Sequence, residues 1–206
     1  MERVEAIRKL NLLKGQNLHD LAPKYEVTVV ADNGEENKGW AGHLLERYLG
    51  LPINSAQSPN FGSWELKCVP LLRYKKSGLL YFKESMKITS IDPFNVRETP
   101  FESSHLLAKL SKAVIVARTV GSHFSLPTFV YSVTPVDLLG DLYDVVRADY
   151  ELVRACLNDP SRGYSHLTGY MGTYVQPRTS GKGHGSISRS FYARTKFLRT
   201  IIDLKE

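Results

Sequence analysis

Only two cysteines occur in 206 residues, Cys68 and Cys156, far apart and without paired spacing. That excludes a disulfide framework and a cysteine-held zinc site, and it fits a reducing compartment. No apolar run approaches the length of a membrane helix, and the opening Met1-Glu2-Arg3-Val4-Glu5 is charged and lacks the apolar stretch of a secretion signal. The expectation is a soluble protein with no membrane partner. The six histidines show no metal-ligand spacing. Gly181-Lys182-Gly183-His184-Gly185 is glycine-rich but lacks the Walker pattern, which argues against nucleotide binding and leaves a basic, flexible loop. Acid is missing from residues 173–202, which hold Arg178, Lys182, Arg189, Arg194, Lys196 and Arg199, whereas the rest of the chain balances 21 basic against 21 acidic residues.

The net charge of +6 therefore sits in one segment, interleaved with Tyr174, Phe191, Tyr192 and Phe197. Cations attract phosphates and aromatic rings pack on sugars or bases, so the segment suits a polyanion such as nucleic acid; the alternative is an ordinary solvated basic face. At this length and 42% hydrophobic content, one globular domain is expected over 1–206.

Apolar spacing predicts a helix from residue 3 (Val4, Ile7, Leu10, Leu13), a break at Gly15 and a second short helix capped by Asn17. After a polar loop at 32–37, Trp40, Ala41, Leu44, Leu45, Tyr48 and Leu49 share one arc of a helix. Glu46 falls outside that arc, free to face a cleft. Residues 64–74 and 79–91 read as a hairpin around Lys75-Lys76-Ser77-Gly78. A helix over 102–112, with His105 packed or capping, precedes a buried strand at 113–117. The longest helix is expected to follow Pro135, with Leu138, Leu142, Val145, Val146, Val153 and Cys156 in phase, and to end near Pro160. Strands near 170–176 and a final helix over 191–202 complete a mixed α/β chain.

The sharpest chemical feature is Trp64-Glu65-Leu66-Lys67. Alternation along a strand puts Glu65 and Lys67 on one face, where a carboxylate can hold Mg²⁺ and a lysine can orient or help deprotonate an attacking water. Alone, Glu-x-Lys is equally a surface salt bridge.

Several blocks in order resemble the MutH-type mismatch-repair nicking endonucleases and their restriction-enzyme relatives: Lys38-Gly39-Trp40-Ala41-Gly42-His43-Leu44-Leu45-Glu46, Trp64 to Leu71, Phe101 to Leu110 and Arg189-Ser190-Phe191-Tyr192-Ala193-Arg194. The resemblance implies a restriction-endonuclease-like α/β fold, a mixed β-sheet flanked by helices, with a catalytic arm (1–100) and a DNA-recognition arm (101–206) forming a cleft. It implies Glu65 and the Leu66 carbonyl as metal ligands, Lys67 as the water-orienting lysine, Glu46 as a supporting acid and Lys109 as a second lysine. Asn60 stands in the place of the family's first aspartate, where a neutral amide would weaken a site meant for Mg²⁺, or for Mn²⁺ and the non-catalytic Ca²⁺. Gln176, Arg178, Lys182, Arg189, Tyr192, Arg194 and Lys196 are the implied DNA contacts. Gln and Arg suit adenine and guanine edges, whereas Tyr192 reads equally as core at the start of a helix.

The expected activity is sequence-specific, Mg²⁺-dependent hydrolysis of double-stranded DNA, impaired by Asn60. A double-strand-cutting restriction enzyme is preferred because Asn60 and Glu65 are close in sequence; a mismatch-repair nicking enzyme and a non-cleaving DNA-binding protein are the alternatives. The implied partners are DNA and either a mismatch-repair protein or a companion DNA methyltransferase, in the nucleoid of a bacterial or archaeal cytoplasm.

Overall fold

A computed structural model describes residues 1–51, 59, 61–123, 125–181 and 187–204. Asn60 and Lys182 lie outside the described residues, as do Gly183, His184 and Gly185. The chain begins with α1 (Arg3–Asn11) and α2 (Leu18–Leu21). Asn17 caps α2 as its sequence position suggested: its side chain accepts from the His19 N–H, and also from the Thr128 N–H. Val4 departs from the predicted arc and is exposed, while Leu10 and Leu13 are buried. α3 (Trp40–Tyr48) follows, with Trp40, Ala41, Leu44 and Leu45 inward.

Four strands form a mixed sheet in the order β2 (Leu80–Phe82), β1 (Glu65–Arg73), β4 (Lys112–Thr119), β5 (Phe129–Asp137). β1 and β4 run parallel, in register Glu65↔Ala113 and Lys67↔Ile115, and the outer pairs are antiparallel. A second, antiparallel sheet has the order β3 (Met86–Ser90), β7 (Arg189–Ala193), β6 (Val175–Thr179). Thus the predicted hairpin exists only through β2. Residues 86–90 leave it and pair with β7 instead, because the intervening Lys83-Glu84-Ser85 breaks the strand. The two sheets draw strands from both sides of residue 100.

The helices α4 (Pro93–Glu98), α5 (His105–Leu110), α6 (Gly140–Asn158) and α7 (Thr195–Ile201) complete the fold. α5 is shorter than expected. Ser104, not His105, is its cap: the hydroxyl oxygen accepts from the Leu107 N–H at 3.1 Å. Pro135 does not lead into α6 but lies in β5, at the sheet edge where a missing N–H costs no ladder bond. Tyr192 is in β7, not at the start of the last helix.

The mixed sheet is covered on both faces, which is why β4 is apolar throughout its middle. Leu66, Val114, Val116 and Val130 pack under α1 to α3 with Leu10, Leu18, Trp40 and Leu44. Val69, Leu71, Ala113, Ile115 and Ala117 face a larger core that includes α5, α6, α7 and the second sheet. Among the described residues, no helix is long and apolar enough to cross a membrane.

Candidate active site

Glu65 opens β1 after a tight turn in which the Gly62 N–H donates to the Pro59 carbonyl and Phe61 stacks on Trp64 at 3.9 Å. Gly62 has φ +73, a left-handed conformation suited to glycine. Strand alternation then brings Lys67 back to the face of Glu65, and its Nζ lies 2.6 Å from Glu65 Oε1. Lys109 arrives from α5, where Leu106 and Leu110 bury one face and a lysine occupies the same arc. Its Nζ is 3.3 Å from the same Glu65 oxygen. The carboxylate is only 1% exposed, while the side chains of Lys67 and Lys109 are 20% and 9% exposed. One buried anion therefore holds two ammonium groups, a small cationic cluster at the floor of a cleft.

The cleft has a volume of about 580 Å³ and is lined by Glu46, Glu65, Leu66, Lys67 and Lys109 together with residues of β3, among them Lys87. Glu46 of α3 lines it, as its place outside the apolar arc implied. The sequence reading missed Lys87 and Arg118, which also line the cleft. Arg118 sits 5.3 Å over the Trp40 ring. Burial pushes the neighbouring Cys68 thiol upward in pKa against the opposing Arg118 charge, so it is a poor nucleophile.

The second sheet adjoins this cleft through β3. Lys87 pairs in register with Tyr192, and Tyr192 with Gln176 on the other side. Arg178 is exposed and its guanidinium lies 5.6 Å from the Tyr192 ring centre. Burial raises the Tyr192 hydroxyl pKa, and the Arg178 charge opposes the shift. Gln176 is buried, with its Nε2 donating to Ser85 Oγ at 3.0 Å. Lys196 is exposed over the Tyr174 ring.

Two other arginines of the basic segment, Arg189 and Arg194, are committed to the fold. Arg194 donates to the carbonyls of Gly169, Met171 and Gly172, and Arg189 to that of Leu167 while stacking on Tyr164. Asp149, which the sequence did not single out, is buried in α6 and accepts from the N–H groups of Thr173, Tyr174 and Val175 at 2.6, 2.7 and 2.7 Å. An acid in phase with Val146, Val153 and Cys156 on the inner face of α6 was the available signal.

Residues 49–131 match the family model described as DNA mismatch repair enzyme MutH. DNA mismatch repair protein MutH of Vibrio campbellii is 29% identical over 114 residues, covering 54% of this chain and 48% of the relative. The protein of the same name from Vibrio parahaemolyticus is 30% identical over 114 residues, with the same coverage. The chain thus spans about half the length of the curated relatives it matches. The mixed sheet flanked by helices agrees with the restriction-endonuclease-like fold that the resemblance implied. Through residues 49–131, the segment that carries Glu65, Lys67 and Lys109, this chain is similar to the MutH family of DNA mismatch repair enzymes.

Proposed function

We propose that this chain is a MutH-type endonuclease that hydrolyses a phosphodiester bond of double-stranded DNA with the help of Mg²⁺. The observation that carries the reading is the sharing of buried Glu65 by Lys67 and Lys109 at the floor of a cleft, inside the matched segment. The restriction-type reading preferred from the sequence rests on the short Asn60 to Glu65 spacing, and the relatives favour the mismatch-repair alternative over it. By the same token a mismatch-repair protein is the favoured partner over a companion methyltransferase, and the nucleoid the expected place of action.

The donor chemistry suits a hard cation held jointly with substrate. Among the described residues no group of three or more His, Cys, Asp or Glu forms a metal site. Mg²⁺, however, commonly takes one or two carboxylates and fills its remaining positions with water and phosphate oxygens. The Glu65 carboxylate and the Leu66 carbonyl would hold it, with Mn²⁺ as a working substitute and Ca²⁺ as a non-catalytic one. Bound there, the cation supplies charge stabilisation at the phosphate and acidifies a water. Lys67, the more exposed lysine, would donate a hydrogen bond that orients the attacking water. Lys109, held deeper, keeps its positive charge beside the developing phosphorane and fixes the Glu65 carboxylate. DNA would lie along the cleft and across β3 to the surface of β6 and β7, so the two arms follow the two sheets better than a boundary at residue 100.

Asn60 supplies a neutral donor where the family's aspartate supplies a charge, and altered partners around such sites cost about 10- to 100-fold in metal affinity or activity. That substitution favours a second reading, a DNA-binding protein that does not cleave. The test is plasmid cleavage with Mg²⁺ and with Mn²⁺, comparing this chain with Asn60→Asp. Cleavage that rises strongly in Asn60→Asp and vanishes on adding Glu65→Ala or Lys67→Ala supports the endonuclease. Negligible cleavage by both proteins on methylated and unmethylated DNA of diverse sequence supports the non-cleaving reading.

A further inference from the structure

The segment leading into β6 is fixed from two sides. Its amides at 173, 174 and 175 donate to Asp149, and its carbonyls at 169, 171 and 172 accept from Arg194. Gly172, at φ +78, has no room for a side chain: an added Cβ would lie 1.9 Å from the Val175 carbonyl oxygen. Met171 turns inward against the larger core. Gly169 lies against β6, where an added Cβ would stand 3.6 Å from Cγ of Arg178. Between these anchors Tyr170 is 97% exposed, the most exposed of the large apolar or aromatic side chains of the described residues.

We infer that Tyr170 is a DNA contact, a preset aromatic finger that packs its ring against sugars or base edges beside the site of Arg178. The inference rests on the DNA-cleaving or DNA-binding reading above. A ring held on a fixed loop loses little conformational freedom on contact, which makes an exposed tyrosine an efficient binding group. The surroundings specify the occupant: Arg178, exposed in the segment that contains no acid, runs past Gly169, the residue before Tyr170, and stacks on Tyr192, while Lys196 of the same segment is exposed over Tyr174. Glu84, which faces Tyr192, is an exposed acidic neighbour of this surface, and Asp149 is a buried one beneath the loop. Cations flanking an outward ring match a polyanion with apolar faces between its charges.

The experiment measures affinity by fluorescence anisotropy for labelled duplexes drawn from a random-sequence pool, and sequences the bound fraction, for the parent chain, Tyr170→Ala, Tyr170→Phe and Arg178→Ala. Tyr170→Ala is expected to weaken binding about tenfold, with an unchanged melting temperature because the ring is in solvent, and Tyr170→Phe to stay within about twofold of the parent. Parent-like binding by Tyr170→Ala while Arg178→Ala is weakened overturns the finger and leaves DNA binding standing. A loss by Tyr170→Phe equal to that of Tyr170→Ala overturns ring packing. No binding by the parent overturns both this inference and the function on which it rests.

Discussion

Replacing Glu65 by Gln removes one charge and almost no volume, and the geometry predicts a destabilised protein. Two ammonium groups, at 2.6 and 3.3 Å, lose a carboxylate that is 1% exposed. Hydrogen bonds to charged groups contribute about 1.5–3 kcal/mol each, and breaking a buried pair from one side costs about 3–5 kcal/mol because the partner is left uncompensated. Lys67 can swing toward cleft water, so its share is discounted. Lys109, with a side chain 9% exposed, has much less access to it. The expected loss is about 2–4 kcal/mol, roughly 4–16 °C in melting temperature for a chain of this size. Urea unfolding without divalent cations measures it, and adding Lys109→Met should recover most of the loss by removing the stranded charge. A Glu65→Gln protein as stable as the parent, or more so, would refute the view that this carboxylate is satisfied by its two lysines.

Asp149→Asn should cost about 3–5 kcal/mol in the same assay, since an amide cannot accept three backbone N–H groups without turning its own NH₂ toward one of them; a loss under 1 kcal/mol would show that the loop does not depend on this residue. Arg178→Ala should weaken selected duplexes by about 1–3 kcal/mol and random DNA much less, whereas Lys196→Ala should weaken both alike and lower the salt slope by about one. A salt titration on both kinds of duplex separates the two, and equal weakening by Arg178→Ala would make it a phosphate contact. Burial pushes the Tyr150 hydroxyl up to about 12 from an ordinary 10, and it donates to the Thr99 carbonyl. The folded state thus keeps this proton more firmly than the unfolded chain, so the stabilisation is complete below pH 10 and is lost as pH rises toward 12. Tyr150→Phe should flatten that part of the stability profile, and an unchanged alkaline slope would count against the assignment.

The cluster was legible where local geometry alone sets direction. Strand alternation put Glu65 and Lys67 together, and helical phase turned Glu46 toward the cleft. Lys109 was reached through the family resemblance, yet its place in the arc of Leu106 and Leu110 carried the same message. What stayed hidden depends on distant partners. β5 looked like the approach to a helix because Pro135 is a poor strand residue except at an edge, and edge position is a property of the sheet rather than of the segment. β3 looked like half of a local hairpin, though its partner β7 lies far along the chain. Tyr192 belongs to a run too short for its period to distinguish strand from helix. Asp149 falls in the buried phase of α6, but the backbone amides that it holds lie 24 to 26 residues further on, so its partners could not be read from the sequence.

The parallel pairing of β1 with β4 has a kinetic consequence. Adjoining β1 and β2 can zip quickly after a short turn, but Glu65 meets its register partner Ala113 only across a long crossover that includes β3, α4 and α5. Until that crossover closes, Glu65 and Lys67 lie along an open strand edge and Lys109 is tethered elsewhere. On a ribosome the cluster would therefore assemble only after β4 has emerged, so nascent chains lacking β4 would bear the Glu-x-Lys sequence without the arrangement that the proposed chemistry needs.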